Sequence, residues 1–109
     1  MATSPEYAEY VLEQISMSGA IRHRKMFGGI GIYIDDIFCA IIGSSNRFYL
    51  RVGPDNVDDF KSEGMQKFAG GKGAGMPYYE VPEHILEDPT SLAEWSRKAR
   101  DAAIRAKKK

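Results

Sequence analysis

The sequence predicts an α+β domain, a two-layer fold in which a mainly antiparallel sheet of about five strands is flanked by N-terminal, middle and C-terminal helices. Three observations carry that prediction. Apolar residues recur at three- and four-residue steps near both ends of the chain. Between Ile21 and Val52 the pattern changes to β-branched and aromatic runs cut by glycine and aspartate. The links between those runs are too short for crossovers, so consecutive strands must be antiparallel. The 109 residues make a single domain over 1–109, able to bury one core.

The first helix opens at Thr3-Ser4-Pro5-Glu6, with a hydroxyl cap, a proline in the first turn and an acid beside the positive dipole end. Tyr7, Val11 and Ile15, joined by Ala8 and Leu12, form its apolar stripe, and Gly19 ends it. Four strands follow, at 21–26, 29–34, 37–42 and 47–52, linked at Gly28-Gly29, Asp35-Asp36 and 43–46. Pro54 starts a short helix over 54–63 that turns Val57 and Phe60 inward and stops at Gly64. The glycine-rich stretch 70–75 is a loop by composition. Residues 76–81 read as a fifth strand, bracketed by Pro77 and Pro82 and hence at an edge. A single turn over 82–86 leads to Asp88-Pro89, which starts the last helix, with Leu92, Trp95, Ala99, Ala102, Ala103 and Ala106 on its apolar side. The expected core is Val11, Ile15, Phe27, Phe38, Phe48, Leu50, Phe60, Leu92 and Trp95.

Composition narrows the function. No apolar run approaches a membrane span, and the N-terminus lacks the layout of a signal peptide, so a cytoplasmic location is expected. One cysteine, Cys39, excludes an internal disulfide and reads as a small core residue. Net charge is zero, yet residues 1–96 carry eight basic and fourteen acidic side chains, while 97–109 carry seven basic and one acidic. Any polyanion contact therefore belongs to the C-terminal end, where 104–109 reads as a basic tail ending in Lys107, Lys108 and Lys109.

No constellation supports catalysis, a metal or a cofactor. The 70–75 loop lacks the Ser or Thr after Lys72 and the glycine spacing of a phosphate-binding loop. Gly29-Ile30-Gly31 lacks the third glycine of a dinucleotide fingerprint. His23 sits among Arg22, Arg24 and Lys25, which repel a cation, and His84 stands apart. The surface that invites a hypothesis combines Arg22 and Arg24 with Arg47, Tyr49 and Arg51. Strand parity places each set on one face of its own strand. If the two faces coincide, guanidinium groups surround an aromatic ring, suited to protein docking or to phosphates and bases.

The run Arg24-Lys25-Met26-Phe27-Gly28-Gly29-Ile30-Gly31-Ile32-Tyr33 resembles the signature of the TfoX N-terminal domain family. Phe48–Val52, then Phe60, Gly64 and Phe68, continue the resemblance in order. It closes with Tyr78, Tyr79 and Pro82, Leu86–Pro89, and Leu92–Trp95, so it spans roughly residues 5–103. The resemblance implies a non-enzymatic, bacterial regulatory domain of the TfoX/Sxy competence type, a coactivator partnered with transcription machinery such as a cyclic-AMP receptor protein-type regulator. Longer members of that family carry a second, helical domain. Two further functions stay open on the residues alone: a nucleic-acid-binding accessory factor using the sheet arginines and C-terminal lysines, and a small-molecule sensor with a site near Tyr78 and Tyr79.

Overall fold

The computed structural model describes residues 4–26, 29–43, 46–67 and 77–107, with the backbone alone at Met26 and Lys107. Helix α1 (Pro5–Gln14) starts where the sequence places it: the Ser4 hydroxyl accepts the Tyr7 N–H at 3.2 Å. A 3-10 turn, Ile15–Ser18, carries the stripe onward to Gly19, whose φ of 145° is one that a residue with a side chain rarely adopts. Strands β1 (Ile21–Met26), β2 (Gly29–Ile34), β3 (Ile37–Gly43), β4 (Arg47–Arg51) and β5 (Tyr78–Glu80) form one antiparallel sheet in sequence order. Helices α2 (Val57–Ser62), α3 (Glu83–Leu86) and α4 (Pro89–Lys107) complete the fold.

The two-residue link Asp35-Asp36 has φ of 52° and 66°, the left-handed pair that lets a tight hairpin follow the strand twist. Asp35 also ties this turn to the rest of the molecule. Its carboxylate accepts the Ala20 N–H at 3.0 Å and Arg100 Nη1 of α4 at 2.6 Å. Those contacts hold the Asp35 carboxyl below its ordinary range, the Ala20 N–H contributing most.

One face of the sheet carries the core. Ile32, Ile34, Ala40, Ile42, Phe48 and Leu50 pack against Val11 and Ile15 from the N-terminal helix and its turn, and against Leu92, Ala99 and Ala103 from α4. Gly29 is obligatory at the edge of this arrangement, because a Cβ there would run into the Ile42 carbonyl oxygen. Phe60 of α2 meets Trp95 of α4 edge to face, with ring centres 4.8 Å apart.

Five expectations are corrected. Phe38 lies outside the main core: between β2 and β3, Ile32 pairs with Ala40 and Tyr33 with Phe38, so Cys39 is an extra, bulged residue. The bulge breaks strict alternation, putting Cys39 and Ala40 together in the helix-side cluster and Phe38 on the opposite face. Trp95 is half-buried at the margin rather than enclosed. The middle helix begins at Val57, not Pro54, since Asn56 shapes a turn before it. Buried Asn56 accepts the Gly53 N–H at 2.7 Å and donates to the Arg51 carbonyl at 3.0 Å. The fifth strand shortens to 78–80. Finally, α4 runs through Lys107, so residues 104–107 are helix rather than tail, and Ala106 is exposed. Phe27, the 70–75 loop, Lys108 and Lys109 lie outside the described residues.

Candidate functional site

Register decides which side chains share the second face. Arg22 pairs with Tyr33 and Arg24 with Gly31 across β1 and β2. Tyr33 pairs with Phe38, and Gly31 with Ile41, across β2 and β3. Ile41 then pairs with Tyr49, Tyr49 with Glu80, Gly43 with Arg47, and Arg51 with Tyr78. Side chains paired across strands point to one side of the sheet, so Arg22, Arg24, Arg47, Tyr49 and Arg51 all lie on the face opposite the main core.

That face has two zones. Ile41, Tyr49 and Tyr78 form a buried cluster with Phe38 packed against it. Tyr49 is only 9% exposed, so it does not present its ring as a platform. The accessible aromatics are instead Tyr33 and Phe38, half-buried neighbours with ring centres 5.4 Å apart. Sequence reading names Tyr33 only within the family signature and places Phe38 in the core, although Tyr33 sits at the position opposite Arg22 that a hairpin through Asp35-Asp36 requires. Around these rings stand the guanidinium groups: Arg22 lies over Tyr33 at 5.9 Å, and Arg51 over Tyr78 at 6.0 Å. Phe38 links the two pairs, its ring 5.8 Å from that of Tyr78.

Part of this positive charge is balanced locally. Arg22 pairs with Asp36 at 2.6 Å and Arg47 with Glu80 at 3.1 Å, both in solvent where such pairs contribute little to stability. Arg24 and Arg51 make no ion pair among the described residues. The basic side chains of α4 are matched more fully. Lys98 pairs with Asp59 at 3.0 Å, Arg100 with Asp35 and Asp101, and Arg105 with Asp55. Three basic side chains of α4 thus face carboxylates of the body it packs on.

The remaining candidates fall to other roles. Tyr79 turns from Tyr78 to the helix side and packs on Phe60, so the two rings cannot line one site. Gly29 and Gly31 are buried strand positions, and Pro82 precedes α3 as its buried cap residue. Cys39 is buried, and burial pushes its thiol up to about 12, leaving it protonated and inert near neutral pH. His84 meets Glu63 at 3.0 Å on the surface. Among the described residues no three His, Cys, Asp or Glu side chains gather to hold a metal ion, and no helix is long and apolar enough to cross a membrane.

A cleft of about 570 Å³ between α1 and α3 has the opposite character, with Glu80, Glu83 and Glu87 beside Tyr7 and Tyr10. Burial and then the nearby Glu80 push the Tyr7 phenol up to about 12.

The family model of the TfoX N-terminal domain matches residues 13–103, from the last turn of α1 to α4. No curated relative matches the chain.

Proposed function

From the premise that the chain belongs to the TfoX N-terminal domain family, we propose that it is a non-enzymatic, cytoplasmic regulatory domain that docks an acidic surface of a protein partner. The observation that carries the reading is the register: it gathers four arginines and two accessible aromatic rings on the sheet face that the helices leave free. Arginine and tyrosine are the side chains most enriched at protein interfaces. Arg24 and Arg51 supply charge that no carboxylate among the described residues balances.

By family analogy the partner is a transcription regulator of the cyclic-AMP receptor protein type, with the domain acting as a bacterial competence coactivator. Nucleic acid is the less favoured target, because Lys98, Arg100 and Arg105 of α4 are engaged in ion pairs. Fluorescence anisotropy of labelled duplex and single-stranded DNA separates the two. Weak binding that vanishes at physiological salt is the expected result. Tight binding that persists there would replace docking by a nucleic-acid role.

A further inference from the structure

Docking leaves Arg51 incompletely explained. Its Nε is shut off from solvent and has no hydrogen-bond partner, while its guanidinium lies against the ring and phenol of fully buried Tyr78. Arginine remains charged throughout the accessible pH range. A buried donor on a permanent cation is costly without an acceptor.

Two clefts meet at this arginine. One, of about 350 Å³, runs between the chain leaving β4 and the last turns of α4, with Val52, Pro54, Ala102 and Ala106 in its walls. The other, of about 310 Å³, adds Ile37, Phe38 and Ala103. Arg105 and Asp55, the other charged groups in the first cleft, are paired with each other. Arg51 is therefore the uncompensated charge among the described lining residues, and the rest of both linings is largely apolar.

We propose that these joined clefts bind an aliphatic monocarboxylate, with its carboxylate on Arg51 and its hydrocarbon chain along the alanine side of α4. The carboxylate pairs with the edge of the guanidinium that lines the clefts, in a charge-assisted contact, and leaves the enclosed Nε untouched. The ligand carries a single negative charge because Arg51 is the one unpaired positive charge among the described lining residues. The nearby end of α4, with its partially negative terminal carbonyls, adds negative potential that a dianion such as phosphate would feel more strongly. The clefts share Arg51 and Phe38 with the docking surface, but Ala106 belongs to the clefts alone and Arg24 and Arg47 to the docking surface alone, so variants at those positions let either fail by itself.

Calorimetric titration of the full chain with sodium octanoate tests the assignment, with octylamine, 1-octanol and inorganic phosphate as comparison ligands. Saturable binding of octanoate alone is expected. Hexanoate, shorter by two methylenes, should bind more weakly by roughly an order of magnitude. Arg51→Met keeps the length of the side chain and should lower octanoate affinity roughly tenfold or more. Ala106→Phe adds bulk at an exposed position in both linings and should abolish binding whether or not Arg51→Met folds. Octanol binding as well as octanoate, unchanged affinity in a folded Arg51→Met or Ala106→Phe protein, or no saturable heat at millimolar octanoate would each overturn the proposal.

Discussion

The two faces of this sheet are built from the same five strands and do opposite things. On the helix side, Ile32, Ile34, Ile42 and Leu50 are fully enclosed between the strands and two helical segments. On the other side, a small cluster of Ile41, Tyr49 and Tyr78 is bordered by half-buried rings and by arginines reaching solvent. Alternation along a strand gives both faces from one sequence. Every second residue can therefore vary for recognition while its neighbours hold the fold. On this comparison the exposed arginines Arg22, Arg24 and Arg47 are expected to add little to folding, while most of the stability is expected from the helix side and its polar clamps.

The largest effect should come from the core. Phe48→Ala removes a ring that is 2% exposed and should cost about 3–5 kcal/mol, read as a lower denaturation midpoint. Asn56→Ala comes next. It removes two hydrogen bonds at a buried position and leaves the Gly53 N–H and Arg51 carbonyl without a side-chain partner, for about 1–3 kcal/mol. A variant as stable as wild type would show that the β4–α2 connection does not need its clamp.

How much of this was legible depends on whether a signal is local. The first two strands match the periodic pattern residue for residue, because alternation and turn chemistry are written in adjacent positions. So is the start of α1, where Ser4 and Pro5 suffice. Phe38 was misplaced because the bulge at Cys39 arises from pairing with β2, which no single strand encodes. Asn56 was passed over because its value lies in closing a turn onto Gly53 and Arg51, a tertiary contact. For the candidate surface, parity within each strand was readable, whereas the coincidence of the two arginine sets required the register of four strands. The orphaned Arg51 Nε has no sequence signature at all.

Acid sharpens the comparison at the Asp35 turn. Its folded-state pKa is depressed, so its contribution is present above the ordinary aspartate range and is lost as pH falls through the lower folded value. Asp35→Asn keeps a residue that tolerates positive φ and should flatten that part of the stability profile in acid unfolding curves. An unchanged acid limb would mean that the Ala20 and Arg100 contacts do not act through the charge. The smallest effect should be that of Arg24→Glu with Arg47→Glu on the second face. Two exposed substitutions, one breaking a surface ion pair, should each shift stability by no more than about 0.5 kcal/mol.

The central claim, that the second face recognises a protein partner and is not needed for folding, is tested most directly by capture with paired baits. The wild-type chain and the Arg24→Glu/Arg47→Glu chain, checked for equal denaturation midpoints, are used to capture bound proteins from native lysate. These are then compared by quantitative mass spectrometry. The account predicts a protein with an acidic surface that is retained by the wild type and lost from the equally stable variant. Identical sets of bound proteins on the two baits would contradict it.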